Sequence, residues 1–304
     1  MNRIGLGNAG PDSFKGDTVI YVGTCGFSYK EWIGPFYPAK IKPVEMLPYY
    51  ARVFRAVEID SSYYGVPSPR TTETMAGRTP ADFRFSFKMP QTLTHASGAA
   101  TELHEDASAF RTAVEPVLSA RKLACVLAQF PNAFKPASAS NDRLKRIAEA
   151  FTEIPLVFEF RNRLWQQPAT TALLRELGVG FCNADMPALE GLLAPSADVT
   201  SSVGYVRFHG RNASQWWRGS NVSRYRYEYA PEELVPWTER ISEIDGQAAQ
   251  TYVFFNNHAD GHAARDAEML GALLMERYGE RANETLAMAA GDVPAQAELP
   301  GLLP

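Results

Sequence analysis

The sequence contains little cysteine and has no long apolar run. Only three cysteines occur among 304 residues, and Cys25, Cys125 and Cys182 are far apart and lack CxxC spacing. This excludes a disulfide framework and a cysteine-based zinc module. No apolar stretch approaches the ~18 residues needed to span a membrane, and the start does not resemble a signal peptide. We therefore expect a cytoplasmic protein with reduced thiols and no membrane partner.

The chain also lacks a strong net charge. The formal charge is −4, so there is no general attraction to nucleic acid or to acidic membranes. Nucleic acid stays open as a partner but is not favoured. Hydrophobic residues make up 45% and charged residues 21% of the chain, which is typical of a globular protein with a large core.

Several short segments alternate between apolar and charged residues. Residues 156–161 have the β-rich composition of a strand, which places Phe158 and Phe160 on one face and Glu159 and Arg161 on the other. The same alternation occurs in residues 57–60, 83–88 and 205–209. The apolar faces should pack against helices, so the charged faces must lie on the opposite side of the sheet.

Segments with a helical period separate these strands, which predicts parallel strands joined by helical crossovers. A sheet covered by helices on its apolar face, with charges on the other, is expected to close on itself. We therefore predict one TIM barrel of about eight β/α units, with the sixth helix weakly marked between Met186 and Ser202. The alternative is a doubly wound open sheet, but no GxGxxG motif follows the first strand. The predicted organisation is a loose leader at 1–17, the barrel at 18–288 and an extended tail at 289–304.

The face assignment makes a specific prediction for the third strand. Phe83, Phe85 and Phe87 should pack against helices, and Arg84, Ser86 and Lys88 should point into the barrel. The position of every predicted site residue depends on this assignment.

Several distinctive motifs occur in order along the chain. They are Gly23-Thr24-Cys25-Gly26-Phe27, Phe36-Tyr37-Pro38, Glu58-Ile59-Asp60-Ser61-Ser62-Tyr63-Tyr64, Gln129-Phe130-Pro131, Glu159-Phe160-Arg161, Arg207-Phe208-His209-Gly210-Arg211 and Phe255-Asn256-Asn257. Together they resemble the YecE-like family, which is also known as domain of unknown function 72. The resemblance covers residues 19–278 approximately and implies a TIM barrel, but it implies no reaction. The chain departs from the family pattern at Cys25, Phe27 and Asp60, where serine, tryptophan and asparagine are expected.

The active site of a TIM barrel lies at the carboxyl ends of the strands. We expect Glu58 or Glu159 to act there as an acid or base and His209 as a proton shuttle. Lys88, Arg161 and Arg207 should bind an anionic group beneath the Trp216-Trp217 loop. The further residues predicted to bind substrate are Gln129, Asn256, Asn257, Tyr63, Trp216 and Trp217.

Three functions remain open on this reasoning. The first is an enzyme, isomerase-like or hydrolase-like, that uses acid/base chemistry on a phosphorylated or sugar-like small molecule. The second is a metal-dependent phosphodiesterase or nuclease. No cofactor is predicted, but a divalent metal would be held by Glu58, Glu159, Asp185 and His209. The third is a non-catalytic barrel that binds a nucleotide or sugar phosphate. The charged interior could also be purely structural, and the oligomeric state is left open.

Overall fold

A computed structural model of the chain describes residues 19–95 and 100–278. Within this part, eight parallel strands form a closed barrel in sequential order, and β8 pairs with β1. The strands are β1 (Val19–Cys25), β2 (Ala56–Ile59), β3 (Arg84–Lys88), β4 (Leu123–Gln129), β5 (Leu156–Glu159), β6 (Gly180–Asp185), β7 (Val203–Phe208) and β8 (Gln250–Phe255). The predicted TIM barrel is therefore confirmed. The predicted leader and tail lie outside the described residues.

Helices surround the barrel. They are α1 (Pro43–Val53), α2 (Pro69–Gly77), α3 (Gln91–Thr94), α4 (Ala100–Ser119), α5 (Ser138–Ala150), α6 (Pro168–Leu177), α7 (Asn221–Tyr225), α8 (Pro231–Asp245) and α9 (His262–Tyr278). Between β6 and β7 the chain forms no helix at residues 186–202, so the weakly marked sixth helix is an irregular segment. The bounds of α6 follow from its terminal residues. The helix begins at Pro168, and Gly178 caps its end after Leu177 with a φ of 67°, which suits glycine.

The two faces of β3 have the predicted environments. Phe83, Phe85 and Phe87 are fully buried in the layer between the barrel and its helices. Burial of one such side chain contributes roughly 1.5–3 kcal/mol. Ser86 points inward, where its Oγ lies 2.8 Å from the hydroxyl of Tyr205 on the far side of the barrel. The face assignment is therefore confirmed.

Gly23 on β1 has no room for a side chain, because an added Cβ would lie 2.1 Å from the carbonyl oxygen of Ala56. This close approach lets β1 pair with β2.

Among the helices in the described part of the chain, none is long and apolar enough to cross a membrane.

Candidate functional site

Arg207 occupies the centre of the barrel, near the carboxyl ends of the strands. One of its terminal nitrogens donates to Glu159 and the other donates to Glu58 Oε1 at 2.6 Å. Tyr205 donates to the second oxygen of Glu58 at 2.7 Å. All four side chains are fully buried. The guanidinium therefore joins two carboxylates that would otherwise be buried without a counter-charge.

Glu159 has two further partners. Its Oε1 lies 2.6 Å from Nε of Arg161 and 3.0 Å from Nε2 of His209. Burial alone would raise the pKa of Glu159, but the charges of Arg161 and Arg207 hold that pKa well below its usual range. Together with the contacts of Glu58, this engages all four carboxylate oxygens. The two predicted acid/base residues are thus brought together, but in a network closed to solvent.

His209 is held in one tautomer by its neighbours. The Nδ2 of Asn256 lies 3.1 Å from Nδ1 of His209, and an amide nitrogen can only donate. Nδ1 is therefore the acceptor, and Nε2 carries the proton that His209 donates to Glu159. Burial, followed by the charge of Arg161, lowers the pKa of His209 to about 3. Both ring nitrogens of this neutral imidazole are already used.

Lys88 and Asp60 form an ion pair at the cavity wall. Their Nζ and Oδ1 atoms are 3.0 Å apart, and the side chain of Asp60 is 25% exposed. The ammonium also lies 4.4 Å from the centre of the Tyr63 ring, in the range of a cation–π contact. Burial opposes the charge on both groups, but their mutual attraction lowers the pKa of Asp60 and raises the pKa of Lys88. Both groups are therefore charged at neutral pH.

A cavity of about 880 Å³ opens above this network, within the range of small-molecule sites. The predicted residues that line it are Tyr63, Lys88, Gln129, Arg161, Trp216, Trp217 and Asn256. Glu58, Glu159, Arg207 and His209 lie beneath its floor and do not line it. Of the three cations predicted to bind an anion, Lys88 and Arg161 therefore line the cavity, whereas Arg207 lies beneath it and does not reach it.

Two predicted residues belong to other clusters. Asp185 accepts hydrogen bonds from Arg211, Tyr229 and Trp237. Asn257 donates to Asp266 on α9 at 2.6 Å. Both side chains thus contact residues on the helix side of the barrel wall. The structure does not bring them to the cavity.

The charges of the floor are balanced. Arg207, Arg161 and Lys88 are matched by three carboxylates, those of Glu58, Glu159 and Asp60. Arg224 of α7 also lines the cavity. Within the part of the chain that the structure describes, its guanidinium pairs with no carboxylate, and its Nε is buried without a hydrogen-bond partner. The cavity therefore contains one positive charge in excess.

The candidate metal ligands do not fit a metal ion. Glu58 and Glu159 use all their oxygens for other partners, and Asp185 lies in a separate cluster. Across residues 19–95 and 100–278, no three or more His, Cys, Asp or Glu side chains are arranged to hold a metal.

Cys25 is unsuited as a nucleophile, because burial and then the charge of Glu58 raise the pKa of its thiol well above the usual value.

The cavity includes residues that the sequence did not select as site residues. These are Asp60, Arg224, Tyr225, Tyr29, His95 and His258, among others. The first three stood in segments that already contained predicted site residues, so proximity in sequence was an available signal. His95 had no such signal. Burial, the charge of Lys88 and two nearby arginines lower its pKa to about 4, so it faces the cavity as a neutral imidazole.

The closed eight-stranded barrel, with a ligand-sized cavity at the carboxyl ends of its strands, defines a TIM-barrel protein. A family model described as "Protein of unknown function DUF72" matches residues 21–290. The chain belongs to this family, as the sequence motifs indicated.

Relatives and solved structures agree with this assignment. UPF0759 protein YunF of Bacillus subtilis is 32% identical over 274 residues, covering 86% of this chain and 96% of the relative. The crystal structure of a DUF72 family protein from Thermotoga maritima has a TM-score of 0.78 and 37% identity, covering 84% of this chain and 99% of that chain. A DUF72 family protein from Enterococcus faecalis has a TM-score of 0.74 and 25% identity, with 84% and 95% covered.

Proposed function

We propose that this protein is an enzyme that binds an anionic small molecule in the cavity and acts on it by acid/base chemistry. The observation that carries the proposal is the unpaired charge of Arg224 inside a cavity whose other charges are balanced. The guanidinium of Arg224 is partly exposed to water, but within the described residues it has no counter-charge. A bound phosphate or carboxylate would supply that counter-charge, and Arg161, which lines the same cavity, offers further N–H donors.

Asp60 and Lys88 are the pair best suited to proton transfer. Asp60 is a charged carboxylate with access to the cavity, so it can accept a proton from a substrate O–H or C–H group. The adjacent ammonium of Lys88 can stabilise negative charge that develops on a substrate oxygen. Glu159 would then position Arg161, and His209 would position Asn256, whereas Glu58 would act only through Arg207. The acid/base role that the sequence predicted for Glu58 or Glu159 is thus assigned to Asp60, which is partly exposed.

The first experiment measures anion binding. Thermal-shift titrations would use phosphate, sugar phosphates and mononucleotides on the wild type, on Arg224→Met and on Arg218→Met. Arg218 belongs to the same loop but does not line the cavity, so it is the matched control. One charge-assisted contact contributes ~1.5–3 kcal/mol. We expect roughly 10- to 100-fold weaker binding for Arg224→Met only. Equal affinities in all three proteins would refute the anion site.

The second experiment separates catalysis from binding without knowledge of the product. A ligand found in the first screen is incubated with the protein in D₂O and followed by proton NMR. We expect deuterium incorporation or a new product with the wild type, and neither with Asp60→Asn, which keeps the shape but not the base. Binding without any reaction in the wild type would indicate the non-catalytic barrel instead.

The same proposal includes the location. The described thiols of Cys25, Cys125 and Cys182 are free and buried, which suits a reducing compartment such as the cytoplasm. Fractionation of cells that express the full chain would test this location.

A further inference from the structure

Two aromatic rings at the cavity mouth are unusually exposed. Trp217 is 54% exposed and Tyr64 is 66% exposed, and both line the cavity. Among the described residues, Tyr64 contacts another ring only at Tyr63, edge-on at 5.0 Å. Within the described residues, Trp217 makes no ring contact. Single exposed aromatic residues are ordinary, but both of these line the same cavity, so a ligand bound there can contact them.

The neighbouring Trp216 is packed against other residues, in contrast to the exposed Trp217. It is 3% exposed and packs edge-on against Tyr225 and His209. Arg161 lies 5.9 Å from the centre of its ring. Trp216 therefore closes the cavity wall beside the charged floor, whereas Trp217, the next residue, leaves its ring free. The loop thus supplies one structural tryptophan and one tryptophan that is free to stack.

The size of the cavity leaves room for a ligand larger than a single anionic group. A volume of about 880 Å³ lies near the upper end of the ~300–1,000 Å³ typical of ligand pockets. A phosphate alone would fill only a small part of this space. All four of Arg161, Arg224, Trp217 and Tyr64 line this cavity, so it has room for a ligand whose charged group contacts an arginine and whose apolar part contacts an exposed ring.

We infer that the ligand carries a planar ring as well as its anionic group, the chemistry of a mononucleotide. This inference rests on the proposed anion site and adds the ring to it. Flat π-systems stack on exposed tryptophan and tyrosine because their dispersion contacts are extensive and little ordering is required. A sugar phosphate carries the same anion but has no planar base, so the two ligand classes differ in the feature that Trp217 and Tyr64 would recognise.

The test compares ligands that share the phosphate. Isothermal titration calorimetry would use AMP, GMP, CMP and UMP beside ribose 5-phosphate, with the wild type, Trp217→Ala, Arg224→Met and Val235→Ala. Val235 is 51% exposed on the outer helix α8 and does not line the cavity, so it is the control. Loss of one stacked base typically weakens binding about 5- to 150-fold. We expect at least one mononucleotide to lose that much in Trp217→Ala, while ribose 5-phosphate is unaffected and Val235→Ala behaves as wild type.

The outcomes separate the two proposals. If the wild type binds ribose 5-phosphate as tightly as every mononucleotide, and Arg224→Met weakens them all, the anion site stands and the ring inference is overturned. The ring inference is also overturned if Trp217→Ala changes no mononucleotide affinity. If the wild type binds none of these phosphates, the ring inference and a phosphate site at Arg224 fail together.

Discussion

Replacing Arg207 by methionine should destabilise the protein strongly at neutral pH. The change keeps much of the side-chain volume but removes the cation between Glu58 and Glu159. In the part of the chain that the structure describes, Glu58 would keep only the hydroxyl of Tyr205, and Glu159 would keep Arg161 and His209. Two fully buried carboxylates would then share too little positive charge.

The expected loss follows from measured precedents for such pairs. Removing one partner of a buried ion pair costs ~3–5 kcal/mol, and two carboxylates are affected here, so we expect a loss of about 5 kcal/mol in the free energy of unfolding. For domains of ~150–250 residues, 1 kcal/mol corresponds to about 2–4 °C. The melting temperature should therefore fall by roughly 10–20 °C.

The pH dependence gives an independent check of the cause. In the wild type the pKa of Glu159 is lowered, so its contribution is present above the unfolded-state value of ~4.3 and is lost as the pH falls. In Arg207→Met, Glu159 loses one of the two arginine charges that lower its pKa, so this pH-dependent stabilisation is smaller in the variant. The difference between the two proteins should thus shrink from pH 8 towards pH 4.

The measurement is thermal unfolding followed by circular dichroism between pH 4 and pH 8. Arg52→Met is the control, because Arg52 is an exposed arginine on α1. A double variant with Arg207→Met and Glu58→Gln removes one positive and one negative charge, leaves Glu159 paired with Arg161, and should regain part of the loss. If Arg207→Met is no less stable than the control, or if its deficit grows at low pH, the charge network does not stabilise the fold as described.

Three further predictions follow from other parts of the structure. Burial raises the pKa of Asp266 to about 7, above ~3.9 in the unfolded chain, so this residue lowers stability as the pH rises from 4 to 7. Asp266→Asn should accordingly be more stable than the wild type at pH 8 and equal to it at pH 4 in urea unfolding; equal stability at both pH values would contradict this. Gly23→Ala should lower the melting temperature measurably, because the new Cβ meets the carbonyl oxygen of Ala56, whereas Gly77→Ala, with open space around it, should not. Treatment with EDTA should leave the melting temperature unchanged, and a drop reversed by added Mg²⁺, Mn²⁺ or Zn²⁺ would show that a metal is bound after all.

The sequence alone determined which face of each charged strand is polar. Side chains on a strand alternate with a period of two, which is a local property of the backbone. The position of Phe85 among the helices and of Ser86 inside the barrel therefore followed from neighbouring residues alone. The barrel itself followed from the repetition of this pattern between helices, supported by the family motifs.

Only the tertiary structure decided how the charges are paired. Arg207 and Glu58 are 149 residues apart in sequence, and their contact requires the closed barrel. On β6 both faces are buried, so alternation gave no signal that Asp185 would lie among Arg211, Tyr229 and Trp237. Asn256 and Asn257 lie on opposite sides of the barrel wall, as adjacent strand residues do, but the fold decided that Asn256 is the one of the two that lines the cavity.

The unpaired charge of the cavity was also decided at the tertiary level. Arg224 is one of several arginines in a loop of aromatic and basic residues, and local sequence does not distinguish it from Arg218 or Arg226. Its short helix turns it towards the cavity, whereas Arg226 pairs with Asp260. Sequence fixes the direction of a side chain where the backbone is regular. In a loop, the direction depends on contacts with distant segments, and these exist only once the chain has folded.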